Sequence, residues 1–230
     1  MSTRTLPGSP PVEITLRRSA RARRISLRVS SLDGRVTLSL PKRTSEQEAL
    51  DFAASKEDWI RKHLSQHAAS LTVGFGTVLP IEGADVTVRA GAVRSARREA
   101  GDLLVPPSED MVAARVKAYL KLLARERLTR HATRYAKAVD RPLGRITLRD
   151  TRSRWGSCTS EGNLMFSWRL ILAPPDVLDY VAAHEVAHLV EMNHSPAYWQ
   201  VVAQIYPDYA AERAWLRKNG TTLHRYRFDD

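Results

Sequence analysis

The sequence predicts an α+β chain: a β-rich N-terminal lobe with one helix, then a second domain in which a site-bearing helix packs on a small sheet. Two observations predict it. Period-two apolar alternation and Gly-rich turns fill the first hundred residues, whereas helical periodicity dominates afterwards. The eleven residues "HEVAHLVEMNH", His184 to His194, also place three histidines and two glutamates within a helical pattern that follows an apolar strand.

Each element follows from local signals. Residues 1–11 are rich in Pro, Gly and Ser and are expected to be a flexible terminus. In the lobe, residues 12–107, "VEITLR" reads as a strand, and Ile25–Val29 and Arg35–Leu40 alternate around the Asp-Gly turn of "LDGR" as a hairpin. Leu50, Phe52, Ala53, Trp59, Ile60 and Leu64 then recur at helical spacing after Thr44 or Ser45, which predicts one helix. From Val73 to Val105 the signals are β-type, and "PPSED" marks the boundary to a second domain, residues 108–230.

That domain opens on the longest helical pattern, residues 110–139, with Val112, Val116, Leu120, Leu123, Leu128 and Tyr135 inward and Lys117, Lys121 and Arg125 as a basic stripe. "RITLRD" reads as a strand, "RSRWGSCTSEGN" as a loop and "LMFSWRLILA" as a strand apolar on both faces. "PPDVLDYVAAHEVAHLVE" is a helix, with Pro175 in its first turn and Asp176 and Asp179 near the positive end of its dipole. Two further helices follow, one stopped near Pro207 and one ending at Gly220.

Charge and cysteine content narrow the chemistry. The net charge of +11 is uneven: residues 1–160 hold 30 Lys/Arg against 16 Asp/Glu, whereas residues 161–230 hold 6 against 9. A basic N-terminal lobe suits a nucleic-acid partner through its long-range field. One cysteine, Cys158, excludes a disulfide framework and a Cys-rich zinc site and points to the cytoplasm. No apolar run is long enough to span a membrane, and no secretory leader is visible.

Residues four apart on a helix project side by side, so His184 and His188 can reach one ion at about 2.0–2.1 Å, the usual Zn–N distance. Glu185 is then placed to act on water rather than on the metal, the HExxH arrangement in which the glutamate is the general base. His194 is the third candidate ligand. On a continuous helix it would point away from the ion, so the helix must break between Val190 and His194, with Asn193 and Pro196 as the terminating residues. Glu191 stands where the metzincin pattern wants Gly, which excludes that pattern and makes Glu191 the alternative ligand.

The run "RWGSCTSEGNLMFSWRLILAPPDVLDYVAAHEVAHLVEMNHSPAYW" resembles the YgjP-like metal-dependent hydrolases, bacterial metallopeptidases related at the active site to SprT-like proteases. The hairpin ending "LSLP", the "KEDWIRKHL" helix and the basic helix before "RITLRD" extend the likeness. It implies a zincin-like catalytic domain holding one zinc ion on His184, His188 and His194, with Glu185 as general base and a protein or peptide as substrate. Two alternatives accompany it: a metal-dependent nucleoside triphosphate (UTP) pyrophosphatase and a DNA-associated protease.

Among the remaining residues, Arg154 and Arg169 are weak candidates for substrate binding. The "LMFSWRLIL" strand is expected to offer the edge along which a peptide pairs. Trp155, Trp168 and Trp199 are expected to pack around the active-site helix, Cys158 to be a small buried residue, and His63, His67, His131 and His224 to lie on the surface.

Overall fold

The computed structural model describes residues 2–30, 33–65 and 70–228, which fall into two units, Met1–Ser70 and Leu71–Asp230, each with its own core. In the first unit, β1 (Ser2–Leu6), β2 (Val12–Arg18), β3 (Ser26–Val29) and β4 (Val36–Leu40) form a sheet in the order β1-β2-β4-β3. β2 and β4 run parallel and the outer pairs are antiparallel. Alternation turns Ile14, Leu16, Val36, Leu38 and Leu40 into one core, completed by Ala49 and Ala53 of α1 (Glu46–Ala54) and Ile60 of α2 (Glu57–Ser65).

Three expectations for this unit are modified. The hairpin is present and Gly34 takes the left-handed conformation (φ 67°), whereas Ser31 and Leu32 of its turn lie outside the described residues, as does His67. The expected single helix is two: the Ser55 hydroxyl donates to the Phe52 carbonyl at 2.8 Å and the Lys56 N–H to that of Ala53 at 3.0 Å, closing α1 before α2 begins. Residues 2–6, expected to be flexible, are an edge strand on β2. Their side chains are exposed until Leu6, so the alternation that reveals a strand is missing.

The second unit starts with β5 (Leu71–Thr72), then β6 (Val78–Ile81), β7 (Ala84–Ala90), β8 (Arg97–Glu99) and β9 (Asp102–Val105), the last four forming a sheet in the order β6-β7-β9-β8. The 30-residue helix α3 (Glu109–Ala138), roughly 45 Å long by its rise per residue, buries Val112, Val116, Leu120, Ala124, Leu128 and Ala132 on one face. The boundary expected at 107/108 is therefore corrected to 70/71. Leu79, Val86, Leu103 and Val105 share one core with α3, and Pro106-Pro107 only ends β9 ahead of the helix.

After α3 come β10 (Ile146–Arg149), β11 (Gly156–Cys158) and β12 (Leu164–Ser167), in the order β10-β12-β11, with β10 parallel and β11 antiparallel to β12. "LMFSWRLILA" is thus not one strand: the central strand β12 gives way to a 3-10 turn, Trp168–Leu172, buried throughout. The segment read as a loop supplies β11, the edge strand instead. α4 (Pro175–Ala187) packs against α3, β11 and the 3-10 turn; α5 (Pro196–Ile205), α6 (Tyr209–Asn219), a second 3-10 turn and β13 (Tyr226–Arg227), paired with β5, complete the unit. An α+β domain with its histidine-bearing helix on a small sheet results.

Asp179 fastens α4 to α3. Its carboxylate lies 2.6 Å from His131 Nδ1 and 2.8 Å from Arg134 Nη2. His131 is accordingly half-buried rather than on the surface, as are His224, which lies against Trp155, and His63, which lies against Trp59. Burial alone would raise the Asp179 pKa, but the His131 hydrogen bond and the His131 and Arg134 charges hold it below the ordinary carboxylate value. A group with a depressed folded pKa stabilises the fold above its unfolded pKa, about 4, and that contribution is lost as pH falls through the folded value. Asp179→Asn is expected to cost about 1–2 kcal/mol at neutral pH and to flatten the acid limb of stability against pH, as read by urea unfolding from pH 7 to pH 3.

Candidate metal centre

α4 carries His184 and Glu185 in its last turn and ends at His188, whose dihedrals are still helical (φ −68°, ψ −13°). The break expected between Val190 and His194 thus comes earlier: α4 ends at Ala187, with His188 as its cap, and the motif sits at its carboxyl end. Bonds from the Leu189, Val190 and Glu191 N–H groups back to Val186 and Ala187 tighten the chain, which then leaves the helix axis before His194. Ser195 caps α5 by accepting from the Tyr198 N–H at 3.3 Å, and Pro196 occupies its first turn. A helix end at Ala187 and a helix start at Pro196 thereby bring His194 back over His184.

The result is a cluster of three imidazoles whose ligand nitrogens all lie within 4.8 Å of one another. His184 Nε2 and His194 Nε2 face each other at 3.2 Å. Two nitrogens bound to one tetrahedral ion at the usual Zn–N length stand roughly 3.3 Å apart, so this pair has the separation a shared metal needs. His188 Nδ1 is engaged by the Glu191 carbonyl at 3.0 Å, which leaves Nε2 free to ligate. The alternative ligand Glu191 thus contributes its backbone, and its carboxylate does not join the cluster. Burial, then the charges of the neighbouring rings, lowers the His184 pKa to about 3, and burial also lowers that of His188. Neutral imidazole is the ligating form. The residues present fit a metal ion.

Tyr198 holds the histidines in register: its ring stacks on His188 at 4.5 Å between centroids and its hydroxyl donates to the His184 carbonyl at 2.9 Å. The sequence offered no signal for this role beyond an aromatic at the third position of α5. Trp199 flanks both His184 and His194 at about 6 Å and stacks on Tyr209, and Trp168 is fully buried, as expected of packing residues. Trp155 is different, because it lines the cleft in front of the histidines.

Glu185 is only 5% exposed, and burial pushes its pKa up to about 8 against the opposing pull of the Arg154 charge. β11 passes directly over it. A Cβ placed on Gly156 would come within 2.5 Å of the Glu185 Cγ and Oε1, so glycine is what lets the edge strand approach the carboxylate. Cys158, also in β11, is half-buried rather than buried, and burial raises its thiol to about 11, which leaves it an unreactive thiol at neutral pH.

The two arginine candidates separate. Arg154 lines a cleft of about 370 Å³ with His184, Glu185, Tyr180, Arg213 and Arg217. Arg169 faces the interior. It is 8% exposed, pairs with Asp150 at 2.6 Å, donates to the Leu223 and Tyr226 carbonyls at 3.1 and 2.9 Å, and lies against the Trp168 and Phe228 rings. It anchors the C-terminal segment, which corrects its assignment to substrate. Arg213 and Arg217 were not legible as site residues, because only the packing of α6 on α4 brings them to the cleft.

The family model described as "YgjP-like, metallopeptidase domain" matches residues 23–219. No curated protein matches the chain. A solved structure of the metallopeptidase zymogen of Pyrococcus abyssi abylysin is similar at 17% identity over 40% of this chain and 92% of that one, with a TM-score of 0.36, a likeness too slight to bear on fold or function.

The Gly156 contact yields a test. Gly156→Ala is expected to retain metal, measured by elemental analysis, while hydrolysis falls at least about tenfold, because the added methyl displaces the Glu185 carboxylate from its place beside the histidines. Full activity in this variant would show that the close approach has no functional weight.

Proposed function

The chain belongs to the YgjP-like metallopeptidase family, and on that premise we propose that it is a zinc-dependent endopeptidase whose ligands are His184, His188 and His194 and whose general base is Glu185. The observation that carries this reading is the convergence of three imidazoles within 4.8 Å of one another, one of which, His184, lines a cleft together with the buried Glu185. A zinc ion held there would supply Lewis acidity, acidifying water and polarising a peptide carbonyl.

The protein's own groups account for the rest of the chemistry. Once ionised, the Glu185 carboxylate can accept a proton from water, and the burial that raises its pKa favours holding that proton until it is returned to the departing amine. Tyr198 and the Glu191 carbonyl keep the imidazoles oriented while this happens. β11 offers the unpaired backbone along which an extended peptide adds as a strand, a role expected of "LMFSWRLIL" but excluded there because β12 already has partners on both sides. Among the described residues no helix is long and apolar enough to cross a membrane.

Elemental analysis and cleavage of unfolded casein test the reading together. Wild type is expected to hold one zinc per chain, His188→Ala and His194→Ala to lose it, and Glu185→Gln to keep it while cleavage drops about a hundredfold or more. A Glu185→Gln protein that cleaves as fast as wild type would falsify the assignment, as would pyrophosphate release from UTP with no cleavage of protein.

A further inference from the structure

The segment that holds the histidines is acidic in sequence, yet the cleft in front of them is lined with cations. Arg154, Arg213 and Arg217 all border it, and Glu185 is the only carboxylate in its lining. Among the described residues none of the three arginines has a carboxylate partner. Arg213 and Arg217 stand one turn apart on the same face of α6, where like charges repel. Arg213 is also held in place: its guanidinium lies 4.5 Å over the Trp199 ring, which itself stacks on Tyr209.

Past Arg154 the cationic surface continues. That residue also borders a second depression of about 460 Å³ on the three-stranded sheet, lined by Arg145 and Arg149 with Thr147, Ser157 and Asn163 and by no acidic residue. Arg145 and Arg149 likewise have no carboxylate partner among the described residues. Three guanidiniums, those of Arg154, Arg213 and Arg217, therefore border the cleft that Gly156 of β11 and Glu185 also line, whereas Arg145 and Arg149 lie on the β10 side of the sheet with β12 between them and β11. An arrangement that leaves so many like charges unpaired is suited to a ligand that brings the opposite sign.

We propose that the substrates of this site are acidic polypeptide segments, bound as extended strands along β11 with Asp or Glu side chains on Arg154, Arg213 and Arg217 in the cleft. This assignment rests on the peptidase reading above. A peptide is favoured over a polyphosphate because the cationic cleft borders a free strand edge at Gly156, and because Trp155, Val181 and Leu216 give the cleft an apolar share that side chains can fill. Arginine forks match carboxylates in bidentate fashion, which makes the preference one for acidic side chains and not merely for polar ones.

The test measures binding separately from turnover. Zinc-loaded full-length Glu185→Gln protein is titrated into fluorescein-labelled peptides of one length carrying glutamate, alanine or lysine at two alternate positions. The glutamate peptide is expected to bind about tenfold or more tightly than the other two at low salt, with the gap narrowing at high salt. Arg217→Glu alone should abolish that gap, and Arg213→Gln combined with Arg217→Gln should reduce it if the protein keeps its wild-type circular dichroism. Equal affinity for the three peptides, no binding of any, or an acidic preference that survives the arginine substitutions overturns the proposal. Arginine-dependent binding of inorganic triphosphate without an acidic-peptide preference also overturns it, assigning the arginines to phosphate. Loss of casein cleavage by wild type with the acidic preference intact supports the proposal and counts only against the peptidase reading.

Discussion

The site depends on where α4 stops. Had the helix run on, His194 would have projected away from His184 and His188, and two imidazoles four residues apart cannot by themselves make a closed metal site. The stop is built from backbone bonds rather than from a glycine: Leu189, Val190 and Glu191 tighten the last turn onto Val186 and Ala187, and the Glu191 carbonyl is then used to orient His188. Tyr198 completes the arrangement from the far side of the turn, bonding the helix backbone at His184 while covering the His188 ring.

Everything else in the larger unit keeps that helix end in place and dry. The apolar face of α3, the 3-10 turn after β12 and the body of α4 share one core, in which each fully buried aliphatic side chain contributes roughly 1.5–3 kcal/mol. Among the described residues, Glu185 is the one carboxylate buried there without an ion pair, and its raised pKa reflects that environment. An uncompensated carboxylate is costly inside a protein. The cost is tolerable where a cation and a bound substrate complete the surroundings, and under the proposed function the three imidazoles would hold that cation.

Much of the site was legible in the sequence, and the reason is local. His184, Glu185 and His188 share one helical turn, so their spacing alone brings them together, and His194 required only the inference of a break. The long amphipathic pattern of α3 and the alternation in β2, β3 and β4 were legible for the same reason. What the sequence hid depends on contacts between distant segments. β11 is three residues with no apolar alternation, recognisable only once β12 stands beside it. β1 shows its sides to solvent, the two-unit division falls where no Pro or Gly cluster marks it, and Arg169 and Arg154 look alike until one is seen paired with Asp150 and the other beside Glu185.

A free strand edge one residue from a buried carboxylate also exposes the protein to its own kind, since unpaired backbone recruits any extended chain, including a second copy or an unfolded one. The brevity of β11 is the safeguard. Three residues give too few backbone bonds for sheet-to-sheet propagation, and Arg154, Arg213 and Arg217 beside it repel another copy of the same edge. The features that would admit a substrate are thus the ones that discourage aggregation: recognition is confined to a stretch too short to template a fibril.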